Sequence, residues 1–178
     1  MRDARFKERP ILLCGEMVRA VLDGRKTQTR RVVKRPLVDT VCPYGKVGER
    51  LWVREAFMVQ PNLWGHDHQE QPIHYLATTR KEEVEDYVSK PSIHMPRWAS
   101  RLTLEIVRVR VERVQDISEQ DAMAEGCAPV VHEDGAVDCG TRKTTFRKLW
   151  DSLNADRGFG WATNPWVWVI EFKRLTPC

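Results

Sequence analysis

Arg101-Leu-Thr-Leu-Glu-Ile-Val-Arg-Val-Arg-Val-Glu-Arg-Val114 is the stretch that decides the fold class. Leu102, Leu104 and Ile106 put apolar side chains at even positions, whereas Val107, Val109 and Val111 put them at odd ones. Successive strand residues point to opposite faces, so the inward face changes parity between Ile106 and Val107. A one-residue phase slip inside a strong strand predicts a β-bulge, and a bulge bends a sheet as barrels require.

Outward from this strand, the remaining segments are shorter. Met17, Ala20 and Val21 share one face of a helix over residues 16–23, with Gly24 as its left-handed stop. Leu51, Val53, Glu55 and Phe57 alternate against Trp52, Arg54 and Ala56, which predicts a strand over 50–57 entered from a turn at Gly45 and Gly48. Residues 58–72 read as a loop, 73–77 as a short strand, and 80–90 as a polar peripheral helix. Ser118 caps a two-turn helix closed by Gly126, 128–142 read as a loop, and Phe146, Leu149, Trp150 and Leu153 mark a helix over 145–154. Trp166, Trp168, Ile170 and Phe172 alternate with charged residues in a last strand over 166–175. Five or six strands with short helices give an α+β domain on a small, bent sheet or barrel.

The chain has 178 residues, enough for one compact domain with a continuous core. Its apolar runs fall far short of the roughly 20 residues that span a bilayer, so no membrane segment is expected. Arg2, Asp3, Arg5, Lys7 and Arg9, followed only by a short apolar patch at 11–14, do not read as a signal peptide, and a cytoplasmic location is expected. Cys14, Cys42, Cys127, Cys139 and Cys178 form no C-x-x-C pair, which argues against a disulfide framework and a cysteine zinc site. Neither a G-x-G-x-x-G nor a P-loop motif is present.

Net charge is +4, and its distribution says more than its size. Arg25, Lys26, Arg30, Arg31, Lys34 and Arg35 fall between Gly24 and Val38 with no acid among them, while Glu82, Glu83, Glu85 and Asp86 cluster elsewhere. The basic run reads either as a phosphate-binding segment or as a solvated strand edge that discourages aggregation. His66, His68 and His74 are the only metal candidates, in or beside a loop and without a completed ligand set, so no metal or cofactor is expected. Cys127 and Cys139 have no histidine tied to them as a base. Lys26 and Thr29 differ by an odd number and would face opposite sides of an ideal strand, which makes Thr27 the fallback hydroxyl. Lys26, just after a helix-ending glycine, is expected to be truncated at little cost in core packing.

Leu22-Asp-Gly-Arg-Lys-Thr-Gln-Thr-Arg30, Gly48-Glu-Arg-Leu-Trp-Val-Arg-Glu55, Ile117-Ser-Glu119 through Glu125-Gly126, and Trp166-Val-Trp-Val-Ile-Glu-Phe172 together resemble the ASCH domain family, of the PUA-like superfamily. The resemblance runs in order from about residue 10 to 174. It implies one PUA-like domain over 1–178, a small bent β-barrel with flanking helices, with insertions at 58–98 and 128–142 as in the longer phage and bacterial branch. Short bacterial members imply amidohydrolysis of N(4)-acetylcytidine by a lysine, a threonine and a glutamate, which fall by motif on Lys26, Thr29 and Glu125. Arg25, Thr27, Arg30 and Arg31 become candidate substrate or nucleic-acid contacts, and Trp52 and Trp98 candidate stacking surfaces for a pyrimidine, with core packing as their other reading. A hydroxyl nucleophile needs a base, and lysine serves when neighbouring cations or burial lower its pKa. The expected partner is a modified cytosine nucleoside or RNA. The alternatives are an RNA-binding module, including a metal-independent ribonuclease, and a regulatory protein that binds another protein.

Overall fold

The computed structural model describes residues 6–34, 41–60, 72–80, 84, 86–128 and 141–176. In chain order the elements are β1 (Glu8–Leu12), α1 (Gly15–Leu22), β2 (Gln28–Val32), β3 (Arg50–Arg54), β4 (Phe57–Val59), β5 (His74–Tyr75), β6 (Val88–Lys90), β7 (Thr103–Arg113), α2 (Glu119–Ala124), α3 (Arg142–Asn154) and β8 (Trp166–Leu175). A five-stranded mixed sheet runs β1-β3-β7-β8-β2, and a three-stranded one runs β5-β4-β6. The architecture is α+β, as the alternation predicts. No helix among the described residues is long and apolar enough to cross a membrane.

The bulge lies where the parity slips. β7 pairs Ile106 with Phe172 and then Arg108 with Glu171, so exposed Val107 has no partner. Before the slip Leu104 and Ile106 enter the main core with Leu51, Ile170 and Phe172; after it Val109 and Val111 keep packing against that core. The slip therefore turns Arg108, Arg110 and Glu112 to the opposite face. There a second core of Val114, Ile117, Ala122, Cys127, Phe146, Trp150, Val167 and Val169 packs beneath α2 and α3.

The expected barrel is an open, curled sheet. β1, parallel to β3, and β2 are its two edges, and among the described residues no ladder joins them. Arg31 spans the gap instead, donating from Nη2 to the Leu12 carbonyl at 2.6 Å.

Three local expectations change. β4 extends into the segment read as a loop, and Val88–Lys90, read as the end of a polar helix, is a strand on β4 with Lys90 opposite Phe57. Asp86, at φ 66, breaks any helix there, and strand pairing overrides the weak helical pattern. Residues 81–83 and 85 lie outside the described residues, as do His66, His68, Cys139, Cys178 and most of the 128–142 segment. α3 begins earlier than its apolar face, because Thr141 caps a polar first turn and accepts from the Thr144 N–H. β1 carries too little apolar signal to be read as a strand; only its Ile11 is buried.

Candidate functional site

Gly24, at φ 74, ends α1 and swings the chain back so that the Lys26 N–H donates to Ala20 O at 2.9 Å. Lys26 then forms an isolated backbone bridge with Glu125, and the Thr27 N–H donates to Ala124 O at 2.8 Å. Gly126 makes this closeness possible. At φ +89, a Cβ there would sit 2.9 Å from Ala20 Cβ and 3.2 Å from Lys26 Cβ, so only glycine lets the end of α2 close onto Lys26.

The backbone bridge brings the side chains together. Lys26 Nζ donates to Glu125 Oε2 at 2.7 Å and to Glu125 O at 2.8 Å, with side-chain exposures of 0% and 3% for the two residues. Arg30 holds the other oxygen, Nη1 to Oε1 at 3.1 Å. Its guanidinium, also 0% exposed, further meets Glu112 through Nε at 3.1 Å and through Nη2, meets Asp121 Oδ2 at 3.3 Å, and lies 5.7 Å from the Phe146 ring centroid. Arg110 joins Glu112 Oε2 at 3.0 Å, Asp121 Oδ1 at 3.2 Å and Glu171. The Gln28 amide donates to Asp121 O at 3.0 Å and Oδ1 at 3.1 Å.

Sheet register explains this convergence. Arg30 and Arg110 both pair with Val169, one from each side, so they lie in one row on one face. α2 lowers Asp121 and Glu125 onto that row. Buried charges persist only when paired, and each charge here has an opposite partner.

Burial opposes ionisation of Asp121, but the Arg30 charge, the Gln28 amide, Arg110 and Ser118 together hold its carboxyl below the usual carboxylate range. That interaction is fully present above the unfolded carboxyl's value and is lost as pH falls through the folded one. The melting temperature is therefore expected to drop below about pH 4, and Asp121→Asn to flatten that acid limb in a melting series across pH; an unchanged limb would refute the assignment. Cys127 behaves oppositely: burial and the Glu125 charge push its thiol up to about 11 against Lys26 and Arg30, which leaves it unsuited to nucleophilic attack near neutral pH.

A cleft of about 360 Å³ opens beside the pair, between α1, the Glu125–Ala128 segment and α3. Met17, Leu149 and Cys127 give it apolar wall, Arg25 stands at it, and Glu125 lines it. Lys26 is not among its lining residues and touches it through Glu125.

Of the residues singled out in the sequence, Lys26, Glu125 and Arg30 come together. Thr29 does not join them: it is 2% exposed and pairs with Ile170 of the main core, on the other face of β2. Thr27 is exposed beside Lys26. Arg25 binds Asp23 and Gly126 O, Arg31 binds Leu12 O, Lys34 is exposed, and Arg35 lies outside the described residues. The run is thus no row of solvated cations, since Lys26 and Arg30 are internal ion-pair partners. Lys26 is likewise no cheaply truncated turn residue. Trp52 pairs with Thr103, at the far end of β7 from Arg110 and roughly 20 Å away at about 3.3 Å per residue; Trp98, 39% exposed, precedes the same end. Arg110, Glu112, Asp121 and Gln28 are the members of the cluster that sequence reasoning did not single out, and the parity slip was the signal for the first two.

Among the solved structures that the chain is similar to are an ASCH domain and a DUF984 protein. The ASCH domain, from Lactobacillus crispatus JV V101, is 14% identical, with 94% of this chain and 79% of that one covered at TM-score 0.48. The DUF984 protein, from Enterococcus faecalis V583, is 12% identical, with 89% and 69% covered at TM-score 0.46. No family model and no curated protein matches the sequence.

Proposed function

We propose that the chain hydrolyses the exocyclic amide of an N(4)-acylated cytosine nucleoside, with Glu125 as the acid–base group at the cleft wall. The observation that carries this reading is the 2.7 Å contact between Lys26 and Glu125 beside the cleft, because these are two of the groups the motif resemblance names. The cleft volume falls in the range typical of small-molecule sites. Glu125 takes a proton from the attacking water, the acyl C–N bond breaks, and the proton passes to the departing amine, leaving a carboxylic acid and cytidine. Lys26 and Arg30 each orient one carboxylate oxygen. Attack is assigned to water because Thr29, the hydroxyl named by the motif, faces the Ile170 core.

Incubation with N(4)-acetylcytidine, followed by chromatography, should yield cytidine; none from the folded parent overturns the reading. Thr29→Val should retain activity within a few-fold. A loss beyond about a hundredfold would assign attack to Thr29 instead.

One surface supports a second reading, single-stranded RNA binding. On the half-buried face of β3 that carries Arg50, Trp52 and Arg54, Arg50 lies 4.0 Å from the Phe6 ring centroid and Arg54 5.5 Å from that of Trp52. The Nε atoms of both arginines are buried without a hydrogen-bond partner, and Arg54 Nη2 donates to Ile93 O, so an incoming phosphate would meet the outer nitrogens of the two guanidinium groups. Aromatic faces paired with arginines suit stacked bases and phosphates. Binding measured across a salt series should weaken with salt and on Arg50→Ala or Trp52→Ala, and less on Arg25→Ala; salt-independent binding, or a larger effect at Arg25, would refute this surface.

A further inference from the structure

Arg110 and Glu112 are not among the residues lining the cleft. Glu112 reaches the Glu125 carboxylate through Arg30, and Arg110 reaches it through Glu112, besides meeting Asp121, whose carbonyl accepts from the Glu125 N–H at 2.8 Å. We propose that they are positioning residues that fix the direction of the Glu125 carboxylate through the Arg30 guanidinium, an inference that rests on the acylcytosine reading of Glu125. A guanidinium is a rigid planar fork, so fixing one edge fixes where its remaining nitrogen points. Glu112 Oε1 takes the Nε and Nη2 edge of Arg30, and Nη1 is thereby aimed at Glu125 Oε1. Glu112 is held in turn by Arg110 through its other oxygen, and Arg110 is braced by Asp121 and Glu171.

The chain of contacts runs from the bulged strand to the cleft. Val107 takes the bulge, Arg110 and Glu112 gain the α2 face, Arg30 is locked, and Glu125 presents a fixed carboxylate. Lys26 fixes its second oxygen independently. Weakening the Glu112 contact leaves the Nε and Nη2 edge of Arg30 to Asp121 Oδ2 alone, at 3.3 Å, which loosens the aim of Nη1, and a small misplacement of a reacting group is costly in rate.

The test combines kinetics with a readout that needs no substrate. Glu112→Gln and Arg110→Gln should each lower kcat by about 10- to 100-fold with KM nearly unchanged, and Glu112→Asp and Arg110→Lys should recover part of it. A kcat loss no larger than the unfolded fraction, or a rise in KM at unchanged kcat, overturns the proposal. Nitrogen-15 NMR of the arginine side chains separates this from failure of the acylcytosine reading. The Arg30 Nη signals should be distinct in the parent and merge in Glu112→Gln, while those of Arg101, held by Glu55 at 2.9 Å, stay unchanged as the control. Distinct Arg30 signals in folded Glu112→Gln overturn the positioning role even if the parent hydrolyses the amide. An inert parent whose Arg30 signals are distinct and merge in Glu112→Gln overturns only the amide reading. Should Glu112→Gln not fold, Arg110→Gln keeps the Arg30–Glu112 contact and carries the kinetic test.

Discussion

Arg30→Met is expected to remove about 3–5 kcal/mol of unfolding free energy, enough to bring the protein near the limit of folding, since a whole domain has about 5–15 kcal/mol. Methionine fills much of the space and removes the charge. Glu112, Asp121 and Glu125 all face the Arg30 guanidinium, and Arg110 and Lys26 cannot satisfy them alone. The cost is that of leaving buried Glu125 and, to a smaller extent, the part-buried Glu112 and Asp121 undercompensated, which exceeds the net worth of the intact network. Lys26→Met should cost less, because Glu125 keeps its Arg30 contact. Urea denaturation reads both variants, and the order Arg30→Met worse than Lys26→Met is the specific claim. If Arg30→Met does not fold, Arg30→Lys keeps a charge without the fork and should unfold at a midpoint between Arg30→Met's absence of structure and the parent. A parent-like midpoint for Arg30→Met or Arg30→Lys would mean that the cluster is solvated and structurally idle.

The parts of the fold legible in the sequence were those whose periodicity is strong. The slip at Val107 located the bulge, and the Trp166–Phe172 alternation located β8, because burial of one face imposes period two on the residues themselves. β1 and β6 were not legible. β1 buries one residue and β6 none, so their existence is decided by partners distant in sequence, β3 and β4. The same limit applies to the site. Lys26 and Glu125 could be named by motif, yet composition suggested that the 25–35 run meets solvent, and only the packing of α2 onto β2 shows Lys26 and Arg30 to be internal. Parity was informative here as well, since it set Thr29 apart from Lys26 before any coordinates. Arg110 and Glu112 carry no motif of their own, and only the parity slip, which turns the residues between Val109, Val111 and Arg113 to the α2 face, marks them in the sequence.

Glu125→Gln is expected to lower turnover of N(4)-acetylcytidine by about a hundredfold to ten-thousandfold, the usual worth of a general acid–base group. KM should change little, because an interaction made mainly in the transition state appears in kcat. Glutamine keeps the shape but not the chemistry. Lys26 and Arg30 donate to different oxygens of Glu125, and glutamine replaces one of these oxygens with an NH2, so that one cation faces a donor and some loss of stability accompanies the loss of rate. Melting curves recorded beside the kinetics separate these effects: a fully folded fraction at assay temperature with turnover down a hundredfold supports proton transfer at Glu125. Glu125→Asp sharpens the test, since it retains a carboxylate but shortens its reach, pulling it back from the cleft or from Lys26. It should keep more of the fold's stability than glutamine does while still losing turnover, because the proton must then travel farther to the amine. Parent-like turnover in folded Glu125→Gln would leave Glu125 as an ion-pair partner only, and acylcytosine hydrolysis, if present, would have to arise elsewhere in the cleft.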